Sequence, residues 1–492
     1  MSELLKRHSD AARILPKVGS IIAGDMSTEA PAGAHSHVNP ATGQVQATIP
    51  LSSTNTVDAA VAAARAAAPG WRDTPGAKRR EILEKLAELI VADGDKLSTL
   101  STLENGVTRG FGGRLFVEMA AQWTRYYAGW ADKLEGLVVD TPPNEPFVYT
   151  IPEPFGVVAI IITWNAPLLS LAMKIPPALA AGNTVVLKPA EFTPFTSVRF
   201  LELAREAGVP DGVINLVIGG PETGAALTAH ADIDKISFTG GPITATRIMQ
   251  TAAVKLKPVI FELGGKGANL VFNDANLAEA IPYSATFSLV NTGQGCALPT
   301  RLLVQRGVYD QVVEGVKATI QSYITGDPLL DNTFSGPLVN DAALQRVTAV
   351  IEKAKADRAG QLILGGNRCD GELAGGFFVE PTIFANVDPN SSLALNEVFG
   401  PVLSIIPFDT EEEAVRIANS TEYGLTNYVQ TSDIRRARRL ARSLHSGTVG
   451  INGTANMHVG APFGGVGISG FGREGGKEGM LEFVSTKTVL IG

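Results

Sequence analysis

The chain has 492 residues, 45% hydrophobic and 18% charged, with a formal net charge of -8, and a chain this long calls for two or three substructures. The composition excludes disorder, no apolar run approaches the roughly 18 residues of a membrane span, and the acidic balance excludes the basic footprint of a nucleic-acid binder. Met1 to Lys17 lacks the apolar stretch of a secretory signal, so a cytoplasmic protein is expected. The two cysteines, Cys296 and Cys369, are too few for a disulfide framework and lack zinc-ligand spacing, so no metal site is expected.

From Val57 to Leu97, apolar residues such as Ile82, Leu83, Leu86, Leu89 and Ile90 recur at helical intervals between charged ones, which predicts amphipathic surface helices. The Pro-rich stretch Asp140 to Pro152 reads as an excursion from the first domain. Continuous apolar runs follow at Val157–Ile162, Thr184–Leu187, Ile214–Ile218 and Lys235–Phe238, with a helical stretch such as Ser197 to Ala207 between them. Runs of this kind are strands buried on both faces of a parallel sheet, so a doubly wound α/β domain is expected. Its nucleotide site belongs at the strand C-termini. A second α/β pattern begins after Gly265, with a strand at Arg301–Val304, a helix from Tyr309 to Tyr323 and further alternation from Glu411 to Leu444. The run Thr486–Leu490 reads as an edge strand.

Cys296 sits in Asn291-Thr292-Gly293-Gln294-Gly295-Cys296, where small neighbours leave its sulfur room to meet a substrate. A lone cysteine is usually a small buried hydrophobe, and Cys369 keeps that reading. Two other blocks change it for Cys296. In Phe261-Glu262-Leu263-Gly264-Gly265-Lys266 a carboxylate ends an apolar strand, and in Ile162-Thr163-Trp164-Asn165-Ala166-Pro167 an amide ends another. An amide so placed can donate to an oxyanion, and a carboxylate can activate water. Polar residues at several strand ends point to one convergent site.

These blocks, and the spacing from Glu262 to Cys296, resemble the aldehyde dehydrogenase superfamily from about Val38 to the C-terminus. The resemblance implies two doubly wound Rossmann-like domains plus a small β oligomerisation arm: residues 18–134 and 154–264 binding the dinucleotide, 265–477 catalytic, and 135–153 with 478–492 forming the arm. It implies oxidation of a small-molecule aldehyde to a carboxylic acid. Cys296 forms a thiohemiacetal whose oxyanion is held by the Asn165 amide and the Cys296 backbone N–H, hydride departs to leave a thioester, and Glu262 activates the hydrolytic water. A free thiol with a pKa of about 8.5 is only a few per cent thiolate near neutrality, so local donors or the bound cofactor are expected to activate Cys296. Lys174 and Glu474 match an inner pair assisting proton transfer from Glu262, and a structural salt bridge is the competing reading. A relative that passes the thioester to CoA, and a non-catalytic protein on the same fold, are the alternatives. Glu262 weighs against the first, and retention of Cys296, Glu262 and Asn165 against the second.

For the cofactor, NAD is favoured and NADP possible. The first buried strand lacks a Gly-x-Gly-x-x-Gly fingerprint. The block Phe238-Thr239-Gly240-Gly241-Pro242 instead resembles the family's turn into a helix whose N-terminal amides face a pyrophosphate. Gly241 stands where the family often has serine, Pro242 where it often has threonine, and Ala245 where it often has glycine. Lys188 and Glu191 match adenosine-ribose contacts, and the Glu191 carboxylate would repel a 2′-phosphate. Glu397 and Phe399 resemble nicotinamide-ribose contacts, with Asn396 replacing a frequent glutamate. Ile162, Trp164, Gly220, Gly240 and Leu263 complete the cofactor set. Ala166 stands where the family usually has an aromatic residue, and with Ser170 and Met173 on the same predicted helix it implies a roomy substrate tunnel for aromatic or terpenoid aldehydes. Pro299 and Gly467 also depart from the family pattern, with no derivable consequence. A homo-oligomer, dimer or dimer of dimers, is implied through the C-terminal edge strand, with neither a nucleic-acid nor a membrane partner.

Overall fold

A computed structural model describes residues 2–453 and 457–492. Among these residues the chain forms two large sheets, a three-stranded arm and two small two-stranded sheets. The first sheet has eight strands in the order Asp25–Ser27, Ser20–Ile22, Ile214–Leu216, Thr184–Lys188, Val157–Ile161, Lys235–Thr239, Val259–Glu262 and Gly470–Phe471. The strands from Ile214–Leu216 to Val259–Glu262 are parallel, while both outer additions run antiparallel. The parallel strands are buried almost throughout, which is why they read as unbroken apolar runs.

Strand order reverses at Val157–Ile161: the chain moves outward on one side through Thr184–Lys188 and Ile214–Leu216, then returns to the other side at Lys235–Thr239. Such a switch point opens a crevice beyond the carboxyl ends of the strands, because the flanking loops diverge there. The loop Ile162–Asn165 and the turn Thr239–Gly241 both leave from this crevice.

The second sheet has seven strands, in the order Gln361–Leu364, Thr382–Ala385, Val402–Phe408, Arg301–Gln305, Ala268–Val271, Thr426–Gln430 and Thr448–Ile451, parallel except at the Gln361–Leu364 edge. The strand Val484–Ile491 pairs antiparallel with Phe147–Pro154, whose other side takes Val138–Val139. Val484–Ile491 is therefore an edge, as its sequence implies, and the Pro-rich excursion contributes the strand it pairs with.

Some elements differ from the sequence reading. The run at Ile214–Ile218 is a strand only to Leu216, because Ile218 turns its amide to Ser52 Oγ and its carbonyl to the Ser52 amide. A helix at Glu3–Ala11 and a hairpin of Ala34–Val38 with Val45–Pro50 are additional. Gly470–Phe471 crosses back to extend the first sheet beside Val259–Glu262.

Packed on the first sheet beneath the helix Arg114–Ala128 lies the helix Pro167–Ala181, buried at every position. Pro167 occupies its first turn, where no amide hydrogen is needed, and Gly182, at a φ of 96°, ends it in the left-handed conformation. A helix apolar on all sides belongs in the core, and this one brings Lys174 into the interior.

Candidate active site

Glu262 ends its strand level with Thr239 on the neighbouring strand. The turn that follows it needs glycine: a Cβ on Gly264 would meet the Glu397 carboxylate, and one on Gly265 would strike the Cys296 carbonyl. The Gly265 amide donates to Glu397 Oε1 at 2.8 Å. The Gly-Gly turn thus presses Glu262, Cys296 and Glu397 into one neighbourhood. Gly464 closes it, since a Cβ there would stand 2.7 Å from Glu262 Oε1.

Glu262 is 3% exposed, and both of its carboxylate oxygens are buried without a hydrogen-bond partner. Burial pushes its pKa well above the ordinary carboxylate range, and the Glu474 charge adds to this, while Lys174 and Arg473 pull it down. Lys174 Nζ pairs with Glu474 and donates to Ser237 Oγ at 2.9 Å. Both members of the pair are buried.

Cys296 is half-buried. Its thiol pKa is pushed up to about 12 by burial, then by the charges of Glu262, Glu397 and Glu474, with its own backbone N–H opposing them. Its own backbone N–H is the one group that favours the thiolate here. Cys369, also half-buried, has its pKa raised to about 11 by burial, then by Glu380 and Asp370.

Asn165 is 9% exposed, and its Nδ2 donates to the Gln294 carbonyl at 2.9 Å. A primary amide carries two N–H groups, so one remains. Ala166 and Met173 share an apolar cluster against which Cys296 and Ala297 pack, and Ser170 is buried on the same helix. The spacing of Ala166, Ser170 and Met173 puts them on one helix face.

The cofactor candidates gather around the same crevice. Ile162 donates its amide to the Lys188 carbonyl at 3.2 Å, and Leu263 is buried with its amide on the Ser469 carbonyl at 3.1 Å. The Trp164 ring meets Phe399 edge-on at 5.3 Å, and Phe399 holds a left-handed φ of 55°. Lys188 is buried, which lowers its pKa against the opposing pull of Glu191. A Cβ on Gly220 would lie 3.8 Å from Glu191 Oε1, so Gly220, Lys188 and Glu191 come together.

Helices Pro221–Ala229 and Pro242–Ala253 begin at Gly220 and Gly241, and no side chain caps either of them. Space beside Gly241 is open to 4 Å. Two uncapped helix N-termini flanking a buried lysine and a carboxylate fit a dinucleotide, with backbone amides for phosphates and Glu191 for ribose hydroxyls. No described cluster of three His, Cys, Asp or Glu is arranged for a metal, and no described helix is long and apolar enough to cross a membrane.

The sequence reading missed several residues. Asn291, Thr292 and Gln294 lie in the block that ends at Cys296, yet composition gives no hint of their hydrogen bonds. Asn105 donates to the Trp164 carbonyl at 3.1 Å from a helix far away in sequence, with no signal to find it. Fully buried Arg301 fastens the second sheet to the Gly-Gly turn through the Lys266 carbonyl at 2.9 Å. Tyr428 donates to the Ala297 carbonyl at 2.8 Å, just past the thiol.

A doubly wound sheet with a nucleotide crevice, and a thiol and unpaired carboxylate at its mouth, defines a dinucleotide-dependent enzyme that works through a cysteine. The aldehyde dehydrogenase family model matches residues 28–489, and the chain belongs to this family. It is similar to an aldehyde dehydrogenase of Alternaria alternata, 42% identical over 92% of this chain and 91% of the relative. Among solved structures it is similar to PnpE from Pseudomonas sp. WBC-3, 38% identical with a TM-score of 0.94, covering 97% of this chain and 98% of the other. It is also similar to betaine aldehyde dehydrogenase from Staphylococcus aureus in complex with NAD+, 34% identical with a TM-score of 0.95, covering 98% and 97%. The chain is an NAD(P)-dependent aldehyde dehydrogenase, and the reading as a non-catalytic protein on the same fold falls.

Proposed function

We propose that the enzyme oxidises a bulky apolar aldehyde, aromatic or terpenoid, to its carboxylic acid with NAD preferred over NADP. In this reading Cys296 is the nucleophile, Asn165 the oxyanion donor and Glu262 the base. The convergence of Cys296 with a buried, unpaired Glu262 at one sheet end supports it most. An aldehyde carbon has no leaving group, so it must become tetrahedral before hydride can depart. Sulfur suits both halves of that task, as nucleophile and then as leaving group.

Cys296 reacts as the thiolate, its proton lost to solvent: Sγ adds to the carbonyl carbon, the oxyanion accepts the second Nδ2 hydrogen of Asn165 and the Cys296 backbone N–H, and departure of the hydride from that carbon leaves the thioester. Bound NAD supplies the hydride acceptor. Glu262 then takes a proton from the water that attacks the thioester, which releases the carboxylic acid and returns the thiol. Its raised pKa suits this task, because a more basic carboxylate accepts a proton more readily than an ordinary one. The Lys174–Glu474 pair receives the proton from Glu262. A CoA-acylating enzyme needs no such base, so Glu262 favours hydrolysis.

Glu191, beside Gly220, supports NAD, since a carboxylate there opposes a 2′-phosphate. The small residues Ala166 and Ser170, with flexible Met173, support a wide apolar tunnel. Exposed Leu137, Val138, Phe147, Leu490 and Ile491 on the arm support a dimer or dimer of dimers, and the cysteine usage supports a cytoplasmic location. A panel of aldehydes assayed with NAD and NADP by absorbance of the reduced cofactor tests the substrate and cofactor assignments. A higher kcat/KM for acetaldehyde than for benzaldehyde-like and citral-like substrates would remove the bulky-substrate reading.

A further inference from the structure

The nucleophile is preceded by an unusual stretch of backbone. Asn291, Thr292 and Gly293 hold φ values of 53°, 57° and 69°, three left-handed residues in succession. Asparagine tolerates this region, but a β-branched threonine resists it. Such strain persists only where surrounding contacts over-determine it, and the contacts are present. Thr292 Oγ1 donates to the Gly336 carbonyl at 3.2 Å and accepts the Gly336 amide at 3.1 Å. Gln294 Oε1 accepts the Val339 amide at 3.0 Å.

Asn291 has a different set of partners. Its Nδ2 donates to the Asn165 backbone carbonyl at 2.8 Å and to the Gln294 carbonyl at 3.1 Å. The same Gln294 carbonyl accepts the Asn165 side-chain amide at 2.9 Å. Asn105 Nδ2 reaches the Asn165 carbonyl from the other side at 3.4 Å, and its Oδ1 is fixed by the Val107 amide at 2.9 Å. One side-chain amide therefore ties the loop that carries Asn165 to the loop that carries Cys296.

We propose that Asn291 is a positioning residue that sets the separation and orientation of the oxyanion donor Asn165 relative to the thiol of Cys296. Each loop leaves a different sheet, Asn165 following Val157–Ile161 and Cys296 preceding Arg301–Gln305. Small relative movement of the two sheets would otherwise pass straight into the distance between oxyanion donor and nucleophile. Asn291 holds that distance with two donors from one rigid planar group, while its left-handed backbone aims the group across the gap. It touches no reacting atom and acts through Asn165. The inference rests on the reading of Asn165 as oxyanion donor.

The test compares Asn291→Asp and Asn291→Gly with Asn165→Ala and with the double variants Asn165→Ala/Asn291→Asp and Asn165→Ala/Asn291→Gly, all as full-length enzyme. Aspartate keeps size and left-handed tolerance but replaces both donors with acceptors. Glycine keeps the left-handed turn without strain and removes the amide, which keeps the test valid if aspartate misfolds. Each Asn291 variant should lower kcat/KM and the first-turnover burst of reduced cofactor about 10–100-fold, the scale of an ångström-level misplacement. NAD affinity should stay within about threefold, and aspartate should fail to rescue. In the Asn165→Ala background either change should cost less than about threefold, because the group it positions is gone. Full, independent losses in both backgrounds would overturn the positioning role, as would parental kcat/KM in both Asn291 variants beside a large loss in Asn165→Ala. Unchanged kcat/KM in Asn165→Ala itself would overturn the oxyanion reading and the inference with it.

Discussion

The proposed nucleophile turn and the proposed cofactor turns belong to different sheets and treat their polar groups in opposite ways. Around Asn291 to Cys296 the side-chain amides and hydroxyls are bonded to protein, down to the two bonds between Thr292 and Gly336. At Gly220 and Gly241 the helices start without a side-chain cap, beside small residues and open space. A group that must meet a transition state has to be held before substrate arrives, so its neighbours are fully bonded. A surface that binds an anion keeps its helix amides uncapped until the ligand takes them. Glu262 joins the two regions, being buried but left unbonded, as the proposed base requires.

The largest expected effect lies on the catalytic side. Cys296→Ala should lower kcat/KM by more than about 10⁴-fold, as loss of a nucleophile does elsewhere, and near-parental dehydrogenase activity in the absorbance assay would break the comparison. Glu262→Gln should lower steady-state turnover about 10²–10⁴-fold while a stopped-flow burst of reduced cofactor survives. Loss of the burst along with turnover would move Glu262 to an earlier step.

The same variant sharpens the electrostatics. With the thiol pushed up to about 12, alkylation of the free enzyme by iodoacetamide should accelerate about tenfold per pH unit well past neutrality, because the thiolate is the nucleophile. Removing a carboxylate charge stabilises that thiolate, so Glu262→Gln should lower the Cys296 pKa and raise the alkylation rate at a fixed alkaline pH. A slower rate would contradict the sign.

On the binding side, Glu191→Ala should shift the ratio of kcat/KM for NADP over NAD upward by about 10–100-fold, since the like charge facing a 2′-phosphate is removed. An unchanged ratio places the discrimination elsewhere. The smallest effect belongs to Gly241→Ser. Gly241 has an extended backbone, with φ -85° and ψ 153°, and free space beside it, so serine fits and caps the helix. A gain of a few tenths of a kcal/mol in thermal or urea unfolding is expected, with NAD affinity changed less than about threefold in titration calorimetry.

The parallel strands were legible because their apolar patterns are local, and Ile160 or Leu187 reads the same in isolation as in the sheet. Short elements were less so. The run after Ile214 is apolar to Ile218, but Ser52 intercepts the backbone of Ile218. Gly470–Phe471 is too short to announce itself as a strand. The blocks around Cys296, Glu262 and Asn165 stand out in the sequence, whereas Asn105 and Asn291 bond to carbonyls that no sequence pattern marks.

The amino-acid sequence by itself determined the α/β architecture, the small residues around Cys296 and the glycines of the Glu262 turn, since these rest on hydrophobic period and residue size. Only the tertiary structure decided which groups are electrically exposed to one another. The high thiol pKa, the unpaired Glu262 and the Asn165–Asn291–Gln294 tie all arise where loops from two different sheets meet, and burial and mutual distance, rather than residue type, set their chemistry.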